Sequence, residues 1–187
     1  MAKIFSLANE VLASIFKHLN VFELGVVAKT CQRFRNASFI DQIWQHLCYR
    51  DYAVTSLDQW NLSSFRELYI IVLHKYGCLL GVWKCNINPY GGLVHIKISP
   101  GKIEAVDCRA PFDPDITGML RPKLMFAIEV QGGQAVTMCY SDWEEEPHSG
   151  NLRVGDIGEG KVIQFRFKCN SWSNMKSHQI EKREWVF

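Results

Sequence analysis

Between residues 7 and 48 the apolar positions return at steps of three and four, in short blocks separated by polar residues. Leu12, Ile15, Phe16 and Leu19 form one stripe and Leu24, Val27 and Ala28 a second. Cys31 and Phe34 form a third, and Ile43, Trp44 and Leu47 a fourth. Such steps place side chains on one helix face, so the stretch reads as four short amphipathic helices. Asn20 is placed at the end of the first helix, Glu23 in the early turn of the second, and Asp41 as the cap or first-turn acid of the fourth. Helices that short bury little surface by themselves. A set of this size leans on a larger partner, either the rest of the chain or another protein.

Downstream the period first persists and then changes. Phe65, Leu68, Tyr69, Val72, Leu73 and Tyr76 keep helical spacing, which predicts a helix from about Asn61 to Leu80. Ser63 or Ser64 is its cap, Glu67 stands in capping-box position after Ser64, and Gly77 is its stop. From Gly81 the spacing falls to two. Val94, Ile96 and Ile98 alternate with His95 and Lys97, and Leu124, Phe126, Ile128 and Val130 with Met125, Ala127 and Glu129; Ile163, Phe165 and Phe167 repeat the pattern. Ile103 to Val106 is a weaker strand, Ala135 to Tyr140 a return strand after a turn at Gly132-Gly133, and Arg183 to Phe187 a candidate last strand. Residues 109–123, with Pro111, Pro114 and Pro122, read as a surface loop, and residues 141–160 as polar and glycine-rich. The expected fold class is α+β. A helical module (1–52) and linker helices (53–80) precede a β-rich domain (81–187) of about six antiparallel strands, a partial barrel or sandwich.

Composition narrows the function classes. The chain is 48 % hydrophobic and 21 % charged, as globular proteins are, and its net charge of +2 carries no nucleic-acid footprint. No apolar run approaches the ~20 residues a membrane span needs, and the first residues do not read as a signal peptide. Seven cysteines point to reduced thiols or metal ligands rather than a disulfide framework, hence to a cytoplasmic or nuclear protein.

The run Leu7-x-x-Glu10-Val11-Leu12-x-x-Ile15-Phe16-x-x-Leu19 resembles the start of an F-box, as do Val27-Ala28-x-Thr30-Cys31-x-x-Phe34-Arg35 and Ile43-Trp44 after it. Ala8 stands where a proline usually follows the leucine; Asn9 or Ser6 would then cap the helix. His74-Lys75-Tyr76-x-x-Leu79-Leu80-Gly81-Val82-Trp83, followed by Ile87-Asn88-Pro89-Tyr90-Gly91-Gly92-Leu93, resembles the F-box only protein 31 family, and the similarity runs from about Phe5 to Phe187. Trp83 and Tyr90 serve there either core packing or ligand contact. Family members continue well past this point, so the chain is read as a fragment, a naturally short relative or a divergent copy, with the β-rich domain incomplete.

The resemblance implies that the helical end docks on a Skp-type adaptor and so joins a cullin–RING ubiquitin ligase. Leu7, Leu12, Ile15, Phe16, Leu24, Phe34 and Trp44 supply core and contact together. It implies a non-catalytic substrate receptor, whose β-rich end holds a target for degradation, such as a cell-cycle regulator, by a short C-terminal segment. The substrate-binding residues are left open.

Candidate chemistry is sparse. Cys139 and His148 are separated by eight residues, as are Cys169 and His178. Two Cys and two His can close a tetrahedral, structural zinc site; the resemblance implies such a site in this region, on loops longer here than the family's. Gly155-x-x-x-x-Gly160-Lys161 has phosphate-loop spacing, but Val162 replaces the Ser or Thr that holds magnesium, Asp156 and Glu159 repel phosphate, and a strand pattern follows. It reads as a turn. The acid run Asp142 to Glu146 reads as a solvated loop. His18, His46, His74 and His95 lie in helices and a strand, and no nucleophile–base pair is legible. Two other classes stand beside the receptor: an F-box scaffold that delivers no substrate, and a small zinc enzyme.

Overall fold

In the computed structural model the described residues are 7–85, 92–109, 119–140, 146–157, 162–169 and 185–186. The chain divides into two compact units between Gly77 and Cys78.

The first unit is helical. Helices α1 (Asn9–Phe16), α2 (Val21–Val27), α3 (Gln32–Ser38) and α4 (Asp41–Tyr52) follow the four predicted stripes. Asn20 starts α2 rather than ending α1. Its side chain accepts from the Glu23 N–H at 2.9 Å and the Glu23 carboxylate accepts from the Asn20 N–H at 2.8 Å, a reciprocal capping box. α1 begins after Ala8 with no side-chain cap among the described residues; of the two expected caps, Asn9 already lies inside the helix and Ser6 is outside the described residues.

A further helical run has three parts: α5 (Phe65–Leu68), a π-helical turn (Tyr69–Leu73) and α6 (His74–Tyr76). Ser64 caps it, accepting from the Glu67 N–H at 3.2 Å, while Glu67 accepts from the Ser63 N–H and hydroxyl. Gly77 does not stop this run in a left-handed cap. It continues into a 3-10 turn, and its missing side chain leaves room for the Tyr52 ring. Asp41, in the first turn of α4, reaches across to the start of α5, where its two carboxylate oxygens accept from the N–H groups of Phe65 (3.3 Å) and Arg66 (3.2 Å). Those donors have no partner inside a helix. We therefore expect Asp41→Ala to lower stability by about 1–2 kcal/mol in urea unfolding, the usual effect of losing a cap.

The second unit is one antiparallel sheet in chain order: β1 (Gly81–Cys85), β2 (Gly92–Ser99), β3 (Lys102–Arg109), β4 (Arg121–Gln131), β5 (Gln134–Cys139), β6 (His148–Ile157), β7 (Val162–Cys169) and the two-residue β8 (Trp185–Val186). Alternation decides which face is interior. Ile96, Ala105, Phe126 and Cys139 are successive cross-strand partners, and all four are buried. The opposite face carries charge: Glu104 pairs with Lys97 at 3.2 Å, and the Tyr140 hydroxyl donates to Glu129 at 2.7 Å.

The sheet cannot be flat. β1 and β7 would lie roughly 29 Å apart in a flat sheet of this order. Yet Trp83 on β1 meets Phe165 on β7 with ring centroids 5.0 Å apart. Phe126 on β4 meets Phe165 at 6.2 Å and stacks on Phe167 at 4.6 Å. The strands therefore curl into a half-barrel around these rings, the single-sheet form of the two expected arrangements. Trp83 is a packing residue here; Tyr90 lies outside the described residues. A bulge at Ala105/Val106, with Met125 the extra residue on β4, sharpens the curvature.

Two strands go beyond the sequence reading. β1 is too short to show a period. β6 has few apolar residues and two glycines, and one of these, Gly150, is required: a Cβ there would collide with the Phe167 ring. The phosphate-loop-like stretch begins inside β6 and leads to β7, Ile157 pairing with Val162 strand to strand, so a strand and not a helix N-terminus follows it. Of the loop expected over 109–123, Arg109 belongs to β3 and Arg121 to Lys123 to β4, while residues 110–118 lie outside the described residues.

Candidate functional site

The helical unit keeps a small interior. Leu12 and Phe16 from α1, Leu24 from α2 and Trp44 and Leu47 from α4 are buried. Phe34 is half-buried and packs edge-on against Phe16 at 5.5 Å. The Trp44 indole N–H donates to the Ser38 carbonyl at 2.8 Å, which satisfies the one polar group of a buried indole. Leu7 is half-buried, and its carbonyl accepts from Arg33.

Burial thus sorts the seven residues read as core and contact together. Leu12, Phe16, Leu24 and Trp44 are interior, Phe34 and Leu7 lie at the margin, and Ile15 is on the surface. Ile15 has company there. Val11 and Ile15 on α1 are 44 % and 43 % exposed, and Phe22 and Val26 on α2 are 73 % and 64 % exposed. Each pair is spaced i, i+4, so each helix shows a second apolar edge beside its buried one. Isolated exposed apolar residues are ordinary, whereas i, i+4 pairs on two consecutive helices offer two apolar edges that a partner can cover. Val11, Phe22 and Val26 are outside the set read from the sequence. The signal was present: on each helix the core stripe was already filled by Leu12 and Phe16 or by Leu24.

The turn between α1 and α2 sets how the two edges are presented, and α4 holds that turn. Arg50 donates from Nη1 to the Leu19 carbonyl at 3.2 Å and from Nε to Asp51 at 2.7 Å. Asp51 also accepts from the Tyr69 hydroxyl at 2.7 Å. Burial works to raise the Asp51 carboxyl, but the hydrogen bonds from Arg50 and Tyr69 outweigh it and hold the group below the usual carboxylate range. On another side of the unit, an open cleft of about 670 Å³ runs between α1 and α4, lined by Glu10, Ser14, Lys17, Gln42, His46 and Tyr49 among others. Its lining mixes charges of both signs, from Glu10 and Lys17, with apolar Ala13, Ile40 and Ile43.

In the sheet unit, three of the four metal-ligand candidates share the concave face. Cys139 on β5 is the direct cross-strand partner of His148 on β6. Cys169 on β7 is the partner of Gly150, two residues along from His148 and so on its face. Both cysteines are buried, and His148 Nε2 is buried. Thiol and imidazole are the donor set zinc takes. His178 lies outside the described residues. Among the described residues no three such side chains stand close enough together to hold a metal ion. The fold thus aligns Cys139 with His148 and sets Cys169 one strand further on.

Comparison with known proteins gives the helical edges a context. A family profile described as F-box-like matches residues 4–50, which include α1, α2, α3 and most of α4. F-box only protein 31 of Homo sapiens is 29 % identical over 189 residues, covering 98 % of this chain and 34 % of that protein. The Rattus norvegicus protein of that name gives the same identity, with 36 % of its length covered. F-box only protein 31-A of Xenopus laevis is 29 % identical over 186 residues, covering 96 % of this chain and 35 % of that protein. The chain therefore spans about a third of the length of the curated relatives it matches. Its helical unit opens on an F-box-like domain, and nearly its whole length is similar to F-box only protein 31 of several species.

Proposed function

We propose that this chain is the substrate-recognition subunit of an SCF-type (Skp-type adaptor–cullin–F-box) ubiquitin ligase. The observation that carries the reading is the double apolar edge, Val11 and Ile15 with Phe22 and Val26, inside the segment that matches an F-box-like profile. Full burial of one such side chain contributes roughly 1.5–3 kcal/mol. Four together offset much of the translational and rotational cost of association and form the centre of an interface. The occupant is a Skp-type adaptor, and through it a cullin–RING ligase.

The half-barrel unit holds the protein to be ubiquitylated, by a short, C-terminal segment of that target. The chain then contributes no covalent chemistry. Its effect is proximity, since a tethered lysine meets the charged ubiquitin-carrying enzyme at high effective concentration. No helix among the described residues is long and apolar enough to cross a membrane; work in such a complex places the chain in the cytoplasm or nucleus. Co-expression with a Skp-type adaptor should give one complex on gel filtration. A chain that elutes alone, soluble and folded, would remove the basis for this function.

Within the half-barrel, Cys139, His148, Cys169 and His178 are the residues that would hold a structural zinc ion. Two buried thiols and an imidazole on one face of β5, β6 and β7 support this. Four protein ligands leave no open position, so the ion would tie strands together rather than activate water. We expect about one zinc per chain by elemental analysis, and a lower melting temperature in chelator. Metal-free protein whose melting is indifferent to chelator would exclude the site.

A further inference from the structure

The outward edge of α2 is braced from beyond the F-box-like segment. The Phe22 ring meets the His74 imidazole edge-on, with centroids 5.6 Å apart and planes at 71°. His74 in turn stacks on Tyr69 at 6.4 Å and 18°. His74 opens α6, well past residue 50, where the F-box-like match ends.

The π-helical turn makes this possible. The His74 N–H donates to the Tyr69 carbonyl, five residues back instead of four. Side chains five apart therefore share a face, and the imidazole lies over the phenol. Tyr69 itself is fixed, being buried, bonded to Asp51 and flanked by the Trp44 and Tyr52 rings at 5.7 and 5.8 Å. The exposed Phe22 thus rests on an exposed imidazole, which rests on a rigid buried stack. Ile70, four residues before His74, is also exposed on this run.

We propose that His74 is a positioning residue for adaptor docking, holding the Phe22 ring in the orientation that a Skp-type adaptor meets, so that the docking surface continues from α2 onto the π-helical run. This rests on the docking function proposed above. A ring ordered before binding avoids the entropy otherwise lost when an exposed side chain is immobilised at an interface. That saving alone corresponds to roughly three- to tenfold in affinity, since the ring contact itself is already made in the free chain.

The test titrates a purified Skp-type adaptor into the full chain and into His74→Ala, Phe22→Ala, the double variant and His74→Phe. His74→Ala should bind three- to tenfold more weakly with an unchanged melting temperature, since the imidazole is exposed. The double variant should bind no worse than Phe22→Ala alone, because His74 acts through Phe22. His74→Phe, which keeps a ring against Phe22, should restore most of the affinity. If His74→Ala binds like the unaltered chain while Val26→Glu does not bind, docking stands and the role of His74 is overturned. The same holds if His74 and Phe22 contribute independently. If the unaltered chain does not bind the adaptor, the docking function falls and this inference with it.

Discussion

Val26→Glu should abolish capture of a Skp-type adaptor, weakening it at least about 100-fold, while the free chain stays as stable as before. The asymmetry follows from where Val26 lies. It is 64 % exposed in the last turn of α2, so the free protein has water around any side chain placed there. Glutamate favours helix somewhat more than valine does, which offsets its unfavourable charge near the helix C-terminus, and the melting temperature should hardly move. Once covered, the carboxylate would be desolvated beside Phe22, without a partner. Truncating a residue at the centre of an interface costs about 2 kcal/mol or more, and stranding a charge there adds to that loss. The comparison variant is Leu24→Ala, two residues earlier and fully buried. It should lose about 2–5 kcal/mol of folding stability and weaken adaptor capture only through the unfolded fraction. If both variants bound and melted alike, the sorting of core from surface on α2 would be wrong.

Phe126→Ala should destabilise the half-barrel unit by about 3–5 kcal/mol, the range for deleting a buried aromatic ring. Phe126 has no exposed surface and touches both β7 rings that bring the far side of the sheet back toward β1. Its loss opens a cavity at the point where curvature is held, and neighbouring side chains can fill it only if the strands shift. Against a typical domain stability of 5–15 kcal/mol this is a large fraction, read as a lower urea midpoint for the sheet unit. Phe126→Leu keeps part of the volume and should lose less. A loss below about 1 kcal/mol for Phe126→Ala would mean that the ring cluster does not hold the sheet closed.

Much of this was legible from period alone, and the failures have physical causes. The stripes on α1 to α4 locate the helices because a short amphipathic helix must place its buried residues three or four apart. They do not separate Phe16 from Ile15, because one residue moves the direction of a side chain by only about 100° and both are apolar. What decides is which edge finds a partner within the molecule. Asn20 was read as an end and proved a beginning, since the same side chain is favoured on either side of a short turn and the partner, Glu23, sits in the next helix. β4 was visible because Leu124, Phe126, Ile128 and Val130 recur at every second position, although Met125 and Ala127 between them are buried as well. β6 was not, because half of its pairing surface is glycine and polar side chains, and its place in the sheet is set by the Phe167 ring that covers Gly150. The π-helical turn left no trace in spacing: it displaces His74 by a fraction of a turn, which a periodic template absorbs. The alignment of Cys139 with His148 depends on strand register, which the eight-residue gap does not encode.

Amide hydrogen exchange, read with and without saturating Skp-type adaptor, addresses the covering of the two helical edges most directly. We expect marked slowing across Asn9–Val27, strongest in α2, and little change in the strands of the half-barrel. Exchange in α1 and α2 that stays the same while the adaptor is bound would contradict it, for the apolar edges would then be facing water in the complex as well.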